Sequence, residues 1–190
     1  MIRSKNLNYR YNVEYYQDCV FLNIKDSNFN SKNREITEFR ISDGTPEMAI
    51  SGYELEGFTL KVEQPGLLIG TGLVHQCGGK GEAALGISLD YVTGIPYIPS
   101  SSIKGMLRSA FQYPDYIAEC INVEETIVKK LETSIFGDKK NQYPGTDIFF
   151  DAVVQSGYTG NLLARDNITP HRQKKELLEL AEPNPITFLK

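Results

Sequence analysis

Apolar and polar residues recur along this chain with the periods of short strands and helices. From Tyr53 to Glu63 apolar residues alternate with polar ones, which is typical of a strand with one buried face. Ser100-Ser-Ser102 precedes apolar residues spaced i, i+3, i+4, i+7 and i+8, so we predict a helix capped by serine hydroxyls. The apolar residues expected to face the core are Ile103, Met106, Leu107, Ala110 and Phe111.

A second helix is predicted from Val123 to Ser134, with apolar residues four apart and Gly137 after its end. Shorter apolar runs predict strands at 85–89, 148–154 and 186–189, and a charged helix is predicted at 172–181. These elements indicate an α+β protein with a single domain over residues 1–190. Within it, the polar segment 23–44 is expected to be an insertion or mobile loop.

Composition places the chain among ordinary globular proteins, with 41% hydrophobic and 23% charged residues. No apolar run approaches the length of about 20 residues that spans a membrane. The three cysteines, Cys19, Cys77 and Cys120, are dispersed and odd in number, so neither a disulfide framework nor a zinc cluster is indicated. We therefore expect a cytoplasmic protein with no membrane partner, no metal and no cofactor.

The net charge of −4 opposes a free-standing nucleic-acid binder, since such proteins neutralise phosphates with excess cations. Local basic patches exist nonetheless. The segments 1–13 and 97–112 contain lysine and arginine but no aspartate or glutamate. Arg172, Lys174 and Lys175 form a third basic cluster. This asymmetry suits a protein that contacts RNA on one surface and protein on another, although solvated basic patches are commoner.

The sequence from Gly94 to Arg108 is Gly-Ile-Pro-Tyr-Ile-Pro-Ser-Ser-Ser-Ile-Lys-Gly-Met-Leu-Arg, and it resembles the RAMP pattern G-x-P-x-I-P-G-S-S-x-K-G-x-x-R. The blocks Ile135-Phe-Gly137 and Phe150-Asp-Ala152 follow in that family's order. The chain departs from the pattern at Ser100, where glycine is usual, and it lacks the family's C-terminal glycine-rich loop. The likeness covers nearly all of the chain outside the segment 23–44.

Three further segments indicate which group within the RAMP proteins the chain resembles most. They are the tyrosine-rich opening at 6–16, the element Asp166-x-x-x-Pro-His171 and the ending Asn184-Pro-Ile-x-Phe-Leu189. Together they resemble the sixth-subunit family of Cmr-type (type III-B) effectors, with a Csm-type or other RAMP relative as the alternative.

The resemblance implies an RRM-like, ferredoxin-like fold, with an antiparallel sheet and helices on one face. The family's last elements would follow Lys190, so the second half of that fold is expected to be incomplete in these 190 residues. The resemblance also implies a non-catalytic, RNA-binding subunit of a type III CRISPR effector complex in antiviral defence. Its expected partners are guide RNA (crRNA), target RNA, and other RAMP and small subunits.

Lys104 and Arg108 are the main candidates for phosphate contacts, aided by serine hydroxyls and free amides at the helix N-terminus. The alternative is an exposed basic helix face. The glycine-rich stretch that begins at Gly70 could lie along RNA, although such turns often bind no ligand. The full set expected to contact RNA is Ser101, Ser102, Lys104, Arg108, Gly70, Thr71, Gly72, His75 and His171.

Two other functions compete with RNA binding alone. A RAMP endoribonuclease would process guide RNA or cut target RNA, and Asp151 is the residue most easily mistaken for its catalyst. We interpret Asp151 as a structural turn or cap instead, because no acid, base and metal set accompanies it. The other alternative is a protein-only adaptor whose basic patches meet acidic neighbours.

Overall fold

The computed structural model of the protein describes residues 4–41, 55–69, 76–138, 140–168 and 186–190. Within them the helices are α1 Leu7–Asn12, α2 Asn30–Thr37, α3 Ser100–Ala110, α4 Pro114–Ile121 and α5 Glu125–Phe136. The strands are β1 Ala84–Leu85, β2 Ser88–Leu89, β3 Pro96–Ile98, β4 Ala152–Val153, β5 Arg165–Ile168 and β6 Ile186–Leu189. The expected α+β class is confirmed.

Two compact units make up the chain. The first unit is Met1–Tyr97 together with Val153–Lys190, and the second unit is Ile98–Ala152. No helix in the described part of the chain has both the length and the apolar composition to cross a bilayer.

One sheet of the first unit has the order β1-β6-β5, so β1 lies beside a strand that is about 100 residues away in sequence. The strand predicted at 186–189 is β6, and it lies in the middle of this sheet. It runs parallel to β1, with Ala84 opposite Phe188, and antiparallel to β5, with Arg165 opposite Leu189. Leu189 is fully buried. The sheet therefore depends on the last residues of the chain.

The single strand predicted at 85–89 is divided between two sheets. Its first residue belongs to β1, and its last two form β2 in a sheet of order β2-β3-β4. β2 is antiparallel to β3, with Ser88 opposite Tyr97. Gly86 separates the two strands, and its N–H donates to the Leu189 carbonyl oxygen at 2.7 Å.

Asn6 links α1 to the turn that opens the Gly94 to Arg108 segment. Its side-chain oxygen caps α1, and its amide nitrogen donates to the carbonyl oxygens of Tyr91 and Val92, each at 3.0 Å. Gly94 has a φ of +74°, and a Cβ atom there would lie 2.5 Å from the Leu7 nitrogen. Only glycine fits this close approach without strain.

Tyrosine hydroxyls tie the N-terminal helices to β1. Tyr11 donates to the Ala83 carbonyl oxygen at 2.8 Å, and Tyr15 donates to Asn33 Oδ1 at 2.6 Å. Tyr15 also accepts the Ala83 N–H at 2.9 Å, while Asn33 Nδ2 donates to the Gly81 carbonyl oxygen at 2.7 Å. The buried apolar core of this unit is Leu7, Tyr11, Tyr15, Phe29, Ile36, Phe39, Ala83, Ile87, Leu89, Leu163 and Leu189.

The structure places a helix, α2, inside the segment 23–44, which was expected to be a loop. Phe29 and Asn33 are fully buried and Ile36 is almost so. Asn and Ser residues favour turns when judged alone, but here Asn33 has buried hydrogen-bond partners. Tertiary contacts therefore override the local preference.

The predicted strand at Tyr53–Glu63 differs from the structure, which describes it from Leu55 onward. That part forms no strand and pairs with no strand among the described residues. Phe58 and Leu60 are each 78% exposed. Alternation indicates an extended backbone, whereas strand pairing also requires a neighbouring edge, which the pattern does not supply.

Helix α3 forms where a helix was predicted, but it begins at Ser100, within the expected caps, and its expected core face is not buried. No residue of α3 is buried, and Met106 is 64% exposed. The serine caps are also wrong, since the cap position is Pro99 and Ser100 to Ser102 lie inside the helix. Apolar spacing correctly indicated a helix, but it does not reveal how much of that face its neighbours cover.

The other helices of the second unit contain its buried hydrophobic residues, which are Ala118, Val128 and Phe136. α5 begins and ends two residues later than predicted. Val128 is buried on this helix, whereas Ile127 is 47% exposed. α4 was missed. Pro114 at its first turn and Asn122 in the left-handed region after its end are the signals that mark it.

Candidate nucleic-acid interface

Helix α3 holds Lys104 and Arg108 above aromatic rings of the second unit. Lys104 Nζ lies 5.5 Å from the Phe149 ring centroid, and Arg108 Cζ lies 6.0 Å from the Phe136 ring centroid. Both distances allow cation–π attraction. The spacing of four residues therefore places the two cations along one side of α3, and each rests on a ring.

Those rings form a rigid support. Phe136 and Phe149 stack with centroids 5.7 Å apart and an interplanar angle of 10°. Phe111 meets Phe136 edge to face, with centroids 5.3 Å apart. Because Phe136 is buried, the cations rest on a fixed surface and not on other mobile side chains.

The two cations differ in their electrostatic surroundings. Arg108 Nε lies 3.5 Å from Glu132 Oε1, with the two side chains 42% and 34% exposed. Lys104 takes part in none of the ion pairs found among the described residues. A carboxylate thus balances the charge of Arg108 locally, while no described acid balances that of Lys104. Sequence reasoning missed Glu132, although its position four residues before Phe136 on α5 places it on the same helix face.

The N-terminus of α3 is largely occupied by groups of the same unit. The Ser100 N–H donates to Asp151 Oδ1 at 2.6 Å, and the Ser102 N–H donates to the Pro99 carbonyl oxygen at 2.9 Å. Of the first three N–H groups, only that of Ser101 lacks a partner among the described residues. The exposed hydroxyls of Ser101 and Ser102 remain available to a ligand.

Asp151 therefore acts as the cap that the serines were expected to supply. A carboxylate at this position accepts a helix N–H and interacts favourably with the helix dipole. Among the residues that the structure describes, no group of His, Cys, Asp and Glu side chains could hold a metal ion. The Phe150-Asp-Ala152 block thus has a structural explanation in the capping contact.

The described end of the glycine-rich segment, 76–82, is organised by Glu82 in the first unit. Its carboxylate accepts the backbone N–H groups of Cys77, Gly78 and Gly79, at distances of 2.8 to 3.0 Å. It also accepts the Tyr16 hydroxyl at 2.8 Å, and Glu82 is only 6% exposed. These amides are therefore bound to a carboxylate of the chain itself, a role that sequence reasoning missed.

The other residues expected to contact RNA cannot be placed. Gly70, Thr71, Gly72, His75 and His171 lie outside the described residues, as does the helix predicted at 172–181. Arg10, from the N-terminal basic patch, lies 4.7 Å from the Phe39 ring centroid and 4.0 Å from Glu14. The structure thus gives Arg10 contacts inside its own unit.

Comparisons with known proteins identify relatives of this chain. A 104-residue segment is 34% identical to "CRISPR system CMR subunit Cmr6" of Saccharolobus solfataricus, covering 55% of this chain and 31% of that protein. A solved structure, "Cryo-EM structure of the Type III-B Cmr-beta bound to cognate target RNA", contains a chain that is 34% identical over the same shares, with a TM-score of 0.38. The match thus spans about a third of the length of these relatives.

A sequence model of one family matches most of the chain. The RAMP superfamily model covers residues 59–184, which include the Gly94 to Arg108 segment and both later blocks. This match confirms the resemblance drawn from those residues. The chain belongs to the RAMP superfamily.

Proposed function

We propose that this chain is a non-catalytic, RNA-binding subunit of a Cmr-type (type III-B) CRISPR effector complex, holding guide RNA and the guide–target duplex in antiviral defence. Membership of the RAMP superfamily and the likeness to a Cmr6 protein support this assignment. The partners are then crRNA, target RNA, and other RAMP and small subunits, in the cytoplasm and without a cofactor.

The observation that carries the proposal is the Lys104–Arg108 pair above its stacked rings. Phosphate groups along an RNA strand are bound best by cations that lose little side-chain freedom on contact. Lys104 and Arg108 are each partly exposed, and long basic side chains of this kind can pack their stems while their charged ends reach solvent. Since such contacts read phosphates and not bases, we expect no sequence specificity.

The finer fold assignment belongs to the same proposal. In an RRM-like arrangement the helices lie on one face of an antiparallel sheet. The antiparallel pairing of β2 with β3, and the place of α3 directly after β3, are compatible with it.

Isolated chains should bind RNA weakly. The net charge of −4 provides little long-range attraction, so several subunits must supply local cations together. Nanomolar binding by the free chain at physiological salt would contradict this expectation.

The test replaces Lys104 and Arg108 with glutamine, which removes both charges but keeps much of each stem. Binding of labelled single-stranded RNA is measured over a range of salt concentrations. The double variant should bind more weakly and lose roughly one unit of salt-dependence slope per phosphate contact. Lys129→Ala with Lys130→Ala removes the same charge from exposed positions of α5 and serves as the matched control.

An unchanged salt slope in a folded double variant would overturn the proposal, because the motif would then be structural. Folding is checked by urea unfolding. Each cation–π contact is worth about 0.5–1 kcal/mol at an exposed site, so we expect destabilisation by about 1–2 kcal/mol and not unfolding. RNA crosslinking of the assembled complex separates this function from a protein-only adaptor.

A further inference from the structure

The acid beside the candidate phosphate-binding pair distinguishes its two cations. Glu132 lies 3.5 Å from Arg108 Nε, whereas Lys104 contacts an aromatic ring. The Arg108–Glu132 contact is an ion pair without an accompanying hydrogen bond between the two side chains. It is also partly exposed, so solvent and other ions reach it.

From this contact we infer that Glu132 competes with RNA phosphate for Arg108 and so weakens the binding of isolated RNA to this chain. The inference rests on the function proposed above. It assigns Glu132 as a negative determinant of affinity, a role that neither the family match nor the relatives' names give to any residue.

A carboxylate beside a cation can either orient that cation toward a ligand or compete with the ligand. Orientation is already supplied by Phe136, which is buried and lies under the Arg108 guanidinium. Glu132 adds no hydrogen bond that would fix the guanidinium plane. A phosphate on Arg108 would instead meet a like charge a few ångströms away, which is unfavourable at this partly exposed site.

The competition has a functional consequence. An RNA that contacts this chain alone must displace Glu132 from Arg108 or bind beside its negative charge. An RNA held by several subunits gains affinity from many contacts at once. Glu132 therefore disfavours RNA that only this chain contacts. Lys104, for which the described part of the chain shows no such acid, supplies the contact that remains in either case.

The test uses the full chain and a labelled single-stranded RNA of arbitrary sequence. Glu132→Gln keeps the size of the side chain and removes its charge. An exposed ion pair of this kind corresponds to a change in affinity of up to about fivefold, so we expect binding two- to fivefold tighter at low salt. The gain should shrink as salt is raised, because screening weakens the competing charge.

Removing any acid attracts a polyanion slightly, so two controls isolate the pair. Glu119→Gln removes an equal charge from α4 and should change affinity by less than Glu132→Gln does. In an Arg108→Gln background, Glu132→Gln should lose most of its gain, because the interaction it relieves no longer exists. Glu132→Ala repeats the measurement with a shorter side chain.

The outcomes separate this inference from the proposed function. Suppose that Lys104→Gln and Arg108→Gln weaken RNA binding. If Glu132→Gln then leaves the affinity unchanged, the competition is wrong, and if it lowers the affinity, Glu132 positions Arg108 instead. If the two cation variants have no effect on binding, the proposed function itself fails. A gain that persists undiminished in the Arg108→Gln background would also overturn the competition, since it would be a general charge effect.

Discussion

Gly137 and Gly145 approach each other backbone to backbone, and a Cβ atom built on Gly145 would lie 2.7 Å from the Gly137 nitrogen. The approach is fixed by hydrogen bonds on either side. Asp138 and Tyr143 exchange a pair of backbone hydrogen bonds at 2.8 and 2.9 Å, and the Thr146 N–H donates to the Ser134 carbonyl oxygen at 2.8 Å. The turn after α5 therefore requires glycine at both positions.

Gly145→Ala should destabilise the protein by about 1–3 kcal/mol, because an added methyl group would force the backbone of the turn apart. Urea unfolding of the variant measures the change. A loss below about 0.5 kcal/mol would mean that the turn relaxes easily and that the close approach is not required.

Gly105→Ala is the matched substitution with the opposite expectation. A Cβ atom at Gly105 would have no described atom within 4 Å, and alanine is favoured over glycine in a helix interior by about 1 kcal/mol. We expect the isolated chain to gain up to that amount of stability in urea unfolding. If RNA or a neighbouring subunit approaches α3 closely, the same variant should assemble or bind less well, as measured by pull-down of the complex.

Asp151→Ala should cost about 1 kcal/mol of stability, because the Ser100 N–H at the start of α3 loses its acceptor. Asp151→Asn keeps an oxygen acceptor, so it should lower the free energy of unfolding by only about a few tenths of a kcal/mol. Unfolding midpoints of the two variants check this order. Incubation with labelled RNA and Mg²⁺ tests catalysis, and cleavage by the wild type that Asp151→Asn abolishes would show that the chain is a nuclease.

Glu82→Ala should destabilise the first unit by about 3 kcal/mol, since three backbone N–H groups and the Tyr16 hydroxyl lose a buried, charged acceptor. Glu63→Ala is the control. Its side chain is exposed and pairs with the exposed Lys61, so a change within about 0.5 kcal/mol is expected. Equal losses in thermal unfolding for the two variants would contradict the buried role of Glu82.

Alkaline pH should weaken the tyrosine cluster. Burial is the main cause that raises the pKa of Tyr11 to about 12, and it raises the pKa of Tyr15 further. Because an unfolded tyrosine ionises near pH 10, the protonated cluster contributes fully below that pH and its contribution falls as pH rises toward 12.

The loss is about 1.4 kcal/mol per pH unit for each tyrosine that ionises only when unfolded. Urea unfolding between pH 8 and 11 measures this slope. The slope should be shallower in Tyr11→Phe, at the cost of one hydrogen bond. Tyr9→Phe, at a position that is 47% exposed, should leave the slope unchanged.

Much of the fold was predictable because several local signals are physically strong. The apolar spacing after the serines predicted that α3 forms, although not where it begins, and the final apolar run predicted β6. What failed depends on distant contacts. The burial of Asn33 relies on Tyr15 and Gly81, and neither partner is visible from the local pattern around α2.

The candidate site was predictable to a similar extent. Motif and spacing placed Lys104 and Arg108 together on α3, but the stacked Phe136 and Phe149 rings beneath them come from residues some 30 to 45 positions later in the chain. Glu132 was missed as a partner for the same reason. Asp151 was correctly interpreted as a cap, but the helix end that it caps was not predicted. Which acid approaches which cation is a tertiary relationship, and the charge pattern along the chain does not encode it.

The hydrogen bond of the Tyr15 hydroxyl limits how far this protein can be shortened at its N-terminus. The family match begins at residue 59, yet β1 within it is anchored by Tyr11 and Tyr15 from outside it. A chain starting at residue 59 would leave the Ala83 backbone without Tyr11 and Tyr15, and the Glu82 carboxylate without the Tyr16 hydroxyl. It would also expose the side of the core that α1 and α2 cover. The boundary of the sequence family is therefore not the boundary of a folding unit, and a trimmed protein should keep α1 and α2.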